Sequence, residues 1–138
     1  MDYPYFESGR FYVGCNYWAS HAGTYMWRNW RPEVVKQDFE MMAKAGLRLV
    51  RMFPLWPDFQ PLEQMYGGGG TRCEYSLKGH PLPDTWEGQC GVDVEALDKF
   101  AYLLECAEQN GIKLMVGLVT GWMSGRSSHR QPLRDATF

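Results

Sequence analysis

The sequence predicts an α/β fold built on parallel strands. Two apolar-striped helical segments, beginning at Pro32 and Val94, alternate with three short apolar stretches, 11–18, 47–55 and 112–118. Each helical segment runs into a glycine, Gly46 or Gly111, the residue that most readily takes the left-handed turn closing a helix. The middle stretch, Leu47 to Leu55, is apolar enough to be buried on both faces, as strands of parallel sheets are. Strand, helix, strand, helix, strand is the order that right-handed crossovers connect.

Residues 1–10 read as an irregular lead-in. Phe11 to Trp18 reads as an aromatic-rich strand in which Gly14 permits a close backbone approach. A polar and aromatic loop, Ser20 to Arg31, follows and holds His21, Trp27 and Trp30; the two tryptophans are read as packing. Pro32 suits the first turn of a helix and Glu33 its positive end, with Val35, Phe39, Met42 and Ala43 at helical spacing. The stretch 57–91 is read as a long irregular loop carrying Gly67 to Gly70 and four prolines. No Gly-Lys-Ser/Thr follows the glycines, so they are a spacer and not a phosphate loop. Trp86 in this loop belongs to a lid or anchors the loop. Asp93 is the expected N-cap of the second helix, whose stripe is Leu97, Phe100, Ala101, Leu104 and Ala107. Ile112 to Leu118 is the third strand, and the tail from Gly125 is polar without periodicity.

Composition narrows the function classes. A length of 138 residues gives room for one domain with a real core. Six Trp and eight Tyr exceed the needs of such a core, and rings with a polar edge favour ligand surfaces. A net charge of −2 without a basic cluster argues against nucleic acid. No apolar run approaches the ~20 residues that span a bilayer, and the first residues do not read as a signal peptide. A cytoplasmic product is therefore the default expectation, with secretion left open. Cys15, Cys73, Cys90 and Cys106 show no metal-ligand spacing. They read as free thiols, with a Cys73–Cys90 bridge open to an oxidising compartment. His21, His80 and His129 also lack ligand spacing, so neither metal nor cofactor is expected.

The functional signal lies at the strand ends. Asn16, Tyr17 and Trp18 end the first strand, Arg51 and Trp56 the second, and Trp122 follows the third. Aligned parallel strands would bring these groups to one rim, where α/β folds bind ligands. Arg51 admits two readings, a partner of some structural carboxylate or a charge offered to a ligand. Glu63, Glu74 and Glu87 read as solvated loop charges and not as a catalytic pair.

The segments Gly14-Cys-Asn-Tyr-Trp18 and Asp38-Phe-Glu-Met-Met-Ala-Lys-Ala-Gly-Leu-Arg-Leu-Val-Arg-Met-Phe53 resemble the opening of retaining glycoside hydrolases of family 5 and its relatives, the cellulases, β-mannanases and β-mannosidases. The resemblance covers roughly Phe11 to Ser124. It implies a (β/α)8 barrel of which residues 1–138 supply the first three βα units, with 57–91 as a long βα loop. It also implies that Arg51 hydrogen-bonds the nucleophilic glutamate, and that Asn16, Tyr17, Trp18, Trp56 and Trp122 contact an oligo- or polysaccharide substrate.

The family's acid/base glutamate lies in an Asn-Glu pair after the fourth strand and its nucleophile after the seventh. The sequence contains no Asn-Glu pair, and such a barrel takes about 250 residues. The expectation is thus an N-terminal part of a retaining β-glycosidase acting on a mannan, glucan or galactoside, inactive by itself. The alternatives are a carbohydrate-binding module without catalysis and a structural piece completed by another chain.

Overall fold

The computed structural model describes residues 9–66 and 72–118. Within them lie two three-stranded sheets. The first is parallel, in the order β1 (Gly14–Asn16), β2 (Leu49–Met52), β6 (Lys113–Val116). Helix α1 (Pro32–Lys44) connects β1 to β2, and α4 (Val94–Gln109) precedes β6. This is the predicted alternation, a mixed α/β fold around a parallel sheet.

The helix ends follow local chemistry. Past α1, Gly46 takes φ +84°, its N–H donates to the Ala43 carbonyl, and Leu47 N–H reaches back to Met42 at 3.0 Å. This reciprocal closure satisfies carbonyls the helix leaves free. Arg48 adds its guanidinium to the Ala43 carbonyl at 3.0 Å, a cation at the negative end of the helix. Gly111 repeats the arrangement after α4, with φ +61° and Ile112 N–H on the Ala107 carbonyl. Asp93 caps α4 as expected, accepting from Glu95 N–H at 3.2 Å.

The strands are shorter than predicted. Pairing is confined to 14–16, 49–52 and 113–116; Pro54 follows the second strand, and the first gives way to the turn that begins at Ala19. Gly14 lies so close to β2 that an added Cβ would stand 2.6 Å from the Leu49 carbonyl oxygen. The close approach read from the sequence is real.

Two expectations need correction. Burial of β2 on both faces does not hold among the described residues. Val50 and Met52 are buried against α1 and α4, with Val35, Phe39 and Leu103 opposite them, while Leu49 is half-buried and Arg51 exposed on the other face. Both helices pack on one face, so the apolar run is covered on one side only. The α4 stripe is also rotated. Ala96, Leu103, Cys106 and Ala107 are buried, Leu97 and Phe100 are half-buried, and Ala101 and Leu104 face solvent.

Nor is 57–91 irregular. It begins beside a short helix, α2 (Trp56–Phe59), and then forms an antiparallel sheet of β3 (Leu62–Tyr66), β4 (Arg72–Leu77) and β5 (His80–Pro81). A short helix, α3 (Trp86–Gln89), follows. Lys78 and Gly79 both take positive φ, 52° and 77°, giving a tight two-residue hairpin between β4 and β5. Gly67 to Gly70 lie outside the described residues. Trp86 is 80% exposed and so does not anchor the segment, whereas Cys90 is an exposed free thiol. No helix among the described residues is long and apolar enough to cross a membrane.

Candidate functional site

Parallel register sets the site. Asn16, Arg51 and Met115 are paired across β1, β2 and β6, so their side chains leave the same face of the sheet. Among the described residues, that face is the one the helices leave uncovered. Gly14, Cys15, Asn16, Leu49, Arg51 and Met115 line a concave region of about 350 Å³ upon it. Asn16 and Arg51 are exposed there, offering an amide and a five-donor guanidinium.

At the C-terminal edge of this row the ring of Trp18 stacks on Phe53, with centroids 5.4 Å apart and planes 22° from parallel. The Arg51 guanidinium carbon lies 4.7 Å from the centre of the same Phe53 ring, within cation–π range. Among the described residues no carboxylate forms an ion pair with Arg51. Of the two sequence readings of this arginine, the structural ion pair finds no partner there.

The other predicted residues divide. Tyr17 faces away from the rim, into the core at 4% exposure, against Phe39 at 5.1 Å between ring centres. Its hydroxyl donates to Asp38 Oδ2 at 3.1 Å, and Ser20 N–H donates to the same oxygen at 2.9 Å. Strand alternation explains the difference: Asn16 and Trp18 share one face and Tyr17 takes the other. Burial, reinforced by the neighbouring Asp38 charge, raises the Tyr17 pKa far above its ordinary value, so the phenol stays a donor.

Trp56 stands on α2 and not at a strand end; its indole N–H reaches the Leu118 carbonyl at 2.8 Å and ties α2 to the segment just after β6. Trp122 lies outside the described residues. Trp27 and Trp30 are packing groups as expected, stacked at 5.7 Å, and Trp27 donates to the Phe53 carbonyl at 2.9 Å. His21 contacts the Asn29 carbonyl through Nε2 at 2.7 Å. No cluster among the described residues could hold a metal ion.

Sequence reasoning missed two residues, Asp38 and Phe53. Asp38 falls on the apolar stripe of α1 between Val35 and Phe39, and a carboxylate at a core position is itself a signal. Phe53 lies two residues beyond Arg51, hence on the same side of the strand.

The open face can bind polar, planar-faced molecules. A guanidinium and an amide donate to hydroxyl or carboxylate oxygens, and an aromatic plane receives the apolar face of a ring. The described residues lining it include no nucleophile–base pair.

No protein-family profile matches the sequence, and no curated protein matches it. Solved structures do. An exo-β-1,4-mannosidase from Opitutaceae bacterium strain TAV5 is 29% identical, with TM-score 0.57, over 83% of this chain and 16% of that one. A GH5_18 protein from Streptomyces cattleya, in complex with GlcNAc, shares the fold at 24% identity and TM-score 0.53, over 75% of this chain and 18% of that one. A variant of it in complex with Manβ1-4GlcNAc gives 25% identity and TM-score 0.51, over 79% of this chain and 20% of that one. This chain thus spans less than a quarter of the length of each of these three structures. It is structurally similar, over most of its own length, to a small part of family 5 glycoside hydrolases that include a mannosidase and GH5_18 enzymes.

Proposed function

We propose that this chain supplies three consecutive βα units of a retaining β-glycosidase barrel, acting on β-linked glycans of the mannose type. The observation that carries the reading is the shared row of Asn16 and Arg51 at the ends of parallel strands, with Trp18 beside it. It is supported by the likeness to an exo-β-1,4-mannosidase and to a sugar-bound GH5_18 protein. In this reading Asn16 and Arg51 donate to sugar hydroxyls or to a catalytic carboxylate, and Trp18, Trp56 and Trp122 contact the glycan.

Retaining hydrolysis needs two carboxyl groups about 5 to 5.5 Å apart, one protonated and one ionised. These belong to other βα units of the barrel. Arg51 would keep the nucleophilic carboxylate ionised by lowering its pKa. The second reading, sugar binding without hydrolysis, draws on the open face itself, whose donors are exposed to solvent.

The test is a calorimetric titration of the 138-residue chain with Manβ1-4GlcNAc, alongside an assay for disaccharide cleavage. Saturable binding that Trp18→Ala weakens by ~1–3 kcal/mol, without cleavage, is the expected result. Absence of binding, or binding indifferent to Trp18→Ala and Arg51→Ala, would remove the glycan from this face.

A further inference from the structure

We infer that Phe53 is a positioning residue that holds Arg51 and Trp18 in one stack, so that the cation and the aromatic plane of the site act as a unit. The inference rests on the glycan reading above for its ligand, but not for its geometry.

The ladder explains why these three side chains meet. Asn16 pairs with Arg51, and Tyr17 N–H continues the ladder to the Arg51 carbonyl at 2.7 Å. Just past the ends of β1 and β2, Trp18 and Phe53 come together. They stack at 5.4 Å, and Arg51 approaches the same Phe53 ring at 4.7 Å.

Exposure separates the roles. Phe53 is 7% exposed although it stands at the edge of the open face, whereas Arg51 is exposed and Trp18 half-buried. Phe53 therefore gives its surface to its two neighbours and leaves little for a ligand. Its backbone is fixed from the core side by buried Trp27, whose ring in turn meets Phe59 edge-on at 4.8 Å.

An arginine on an open face has many rotamers, and ordering them on binding weakens affinity. The electron-rich face of Phe53 selects one region for the guanidinium before a ligand arrives. A leucine would fill part of the volume without offering a ring face; a tyrosine would keep the face.

The experiment compares the 138-residue chain with Phe53→Leu, Phe53→Met and Phe53→Tyr. Side-chain proton shifts of Arg51 and Trp18 are read by NMR, and each protein is then titrated with Manβ1-4GlcNAc. In the parent chain the Arg51 protons are expected upfield from ring current. Leu and Met should abolish that shift, move the Trp18 signals together with it, and weaken disaccharide binding about tenfold. Tyr should restore all three. Arg51→Ala should cost less affinity in the Phe53→Leu background than alone, because the two act through one arrangement.

Arg51 protons at ordinary positions in the parent chain would overturn the inference with no variant needed. So would unchanged Arg51 and Trp18 shifts in whichever of the Leu and Met variants gives a folded spectrum. Coupled shifts in a chain that binds no disaccharide would instead uphold the stack and defeat the glycan reading, so the two failures are distinguishable.

Discussion

Asp38 is a carboxylate on a core-facing helix position, and its two donors make that tolerable. Tyr17 hydroxyl and Ser20 N–H both converge on Oδ2, and hydrogen bonds to charged acceptors are the strong ones. The pair tethers the turn after β1 to α1, fixing the backbone from which Trp18 projects. Tyr17→Phe should lower unfolding free energy in urea by ~1–3 kcal/mol, the range for removing a donor from a buried charged acceptor. The sign of the pH effect follows from burial. The Tyr17 pKa is raised above its ordinary 10.0, so its contribution is full below that pH and is lost as the pH climbs beyond it. Tyr17→Phe should therefore flatten the alkaline arm of the stability curve.

Between elements, two contacts lend themselves to direct tests. The first is β1 on β2, where Gly14 leaves no space for a Cβ beside the Leu49 carbonyl. Gly14→Ala should cost ~1–3 kcal/mol by overpacking and shift the Asn16 and Arg51 amide resonances, since both share that ladder.

The second contact joins the antiparallel hairpin to the start of α4. Lys78, in its left-handed turn, reaches Asp93 at 2.7 Å and Glu95 at 3.4 Å, and Lys99 meets Glu95 at 2.8 Å. The hydrogen bond to Lys99 is the main cause lowering the Glu95 pKa below its ordinary 4.5, and the hydrogen bond to Asp93 chiefly raises that of Lys78 above 10.5. The Glu95 contribution is full above pH 4.5 and fades as the pH falls through its lowered value; the Lys78 contribution is full below pH 10.5 and fades as the pH rises through its raised value. The Lys78 and Gly79 amide shifts should hold steady between those limits and move outside them. Because these groups are exposed, added salt should narrow the plateau.

At the largest scale, the core formed by the described residues is one-sided. Helices α1 and α4 bury Val50, Met52 and Leu103, while Met115, on the opposite face, remains 49% exposed. Leu103→Ala should destabilise by ~2–5 kcal/mol through transfer and cavity terms. Met115→Ala should stay within about 0.5 kcal/mol, as for ordinary surface changes. Urea unfolding of the two variants reads the asymmetry directly.

The amino-acid sequence by itself determined the order of the parallel sheet's elements, the helix closures at Gly46 and Gly111, the Asp93 cap and the close approach at Gly14. Each depends on local stereochemistry or short-range periodicity. What only the tertiary structure decided was long-range. The helix faces turned inward were chosen by the partner surfaces, which rotated the α4 stripe from Leu104 toward Leu103. The antiparallel sheet within 57–91 depends on pairing between segments whose polar alternation carries little signal. Tyr17 and Trp18, adjacent in sequence and similar in chemistry, were separated by tertiary packing, one fully buried against Phe39 and one half-buried against Phe53. The stack of Trp18, Phe53 and Arg51 exists only once β1 lies beside β2 in the observed register, because contacts across strands are fixed by pairing and not by position along the chain.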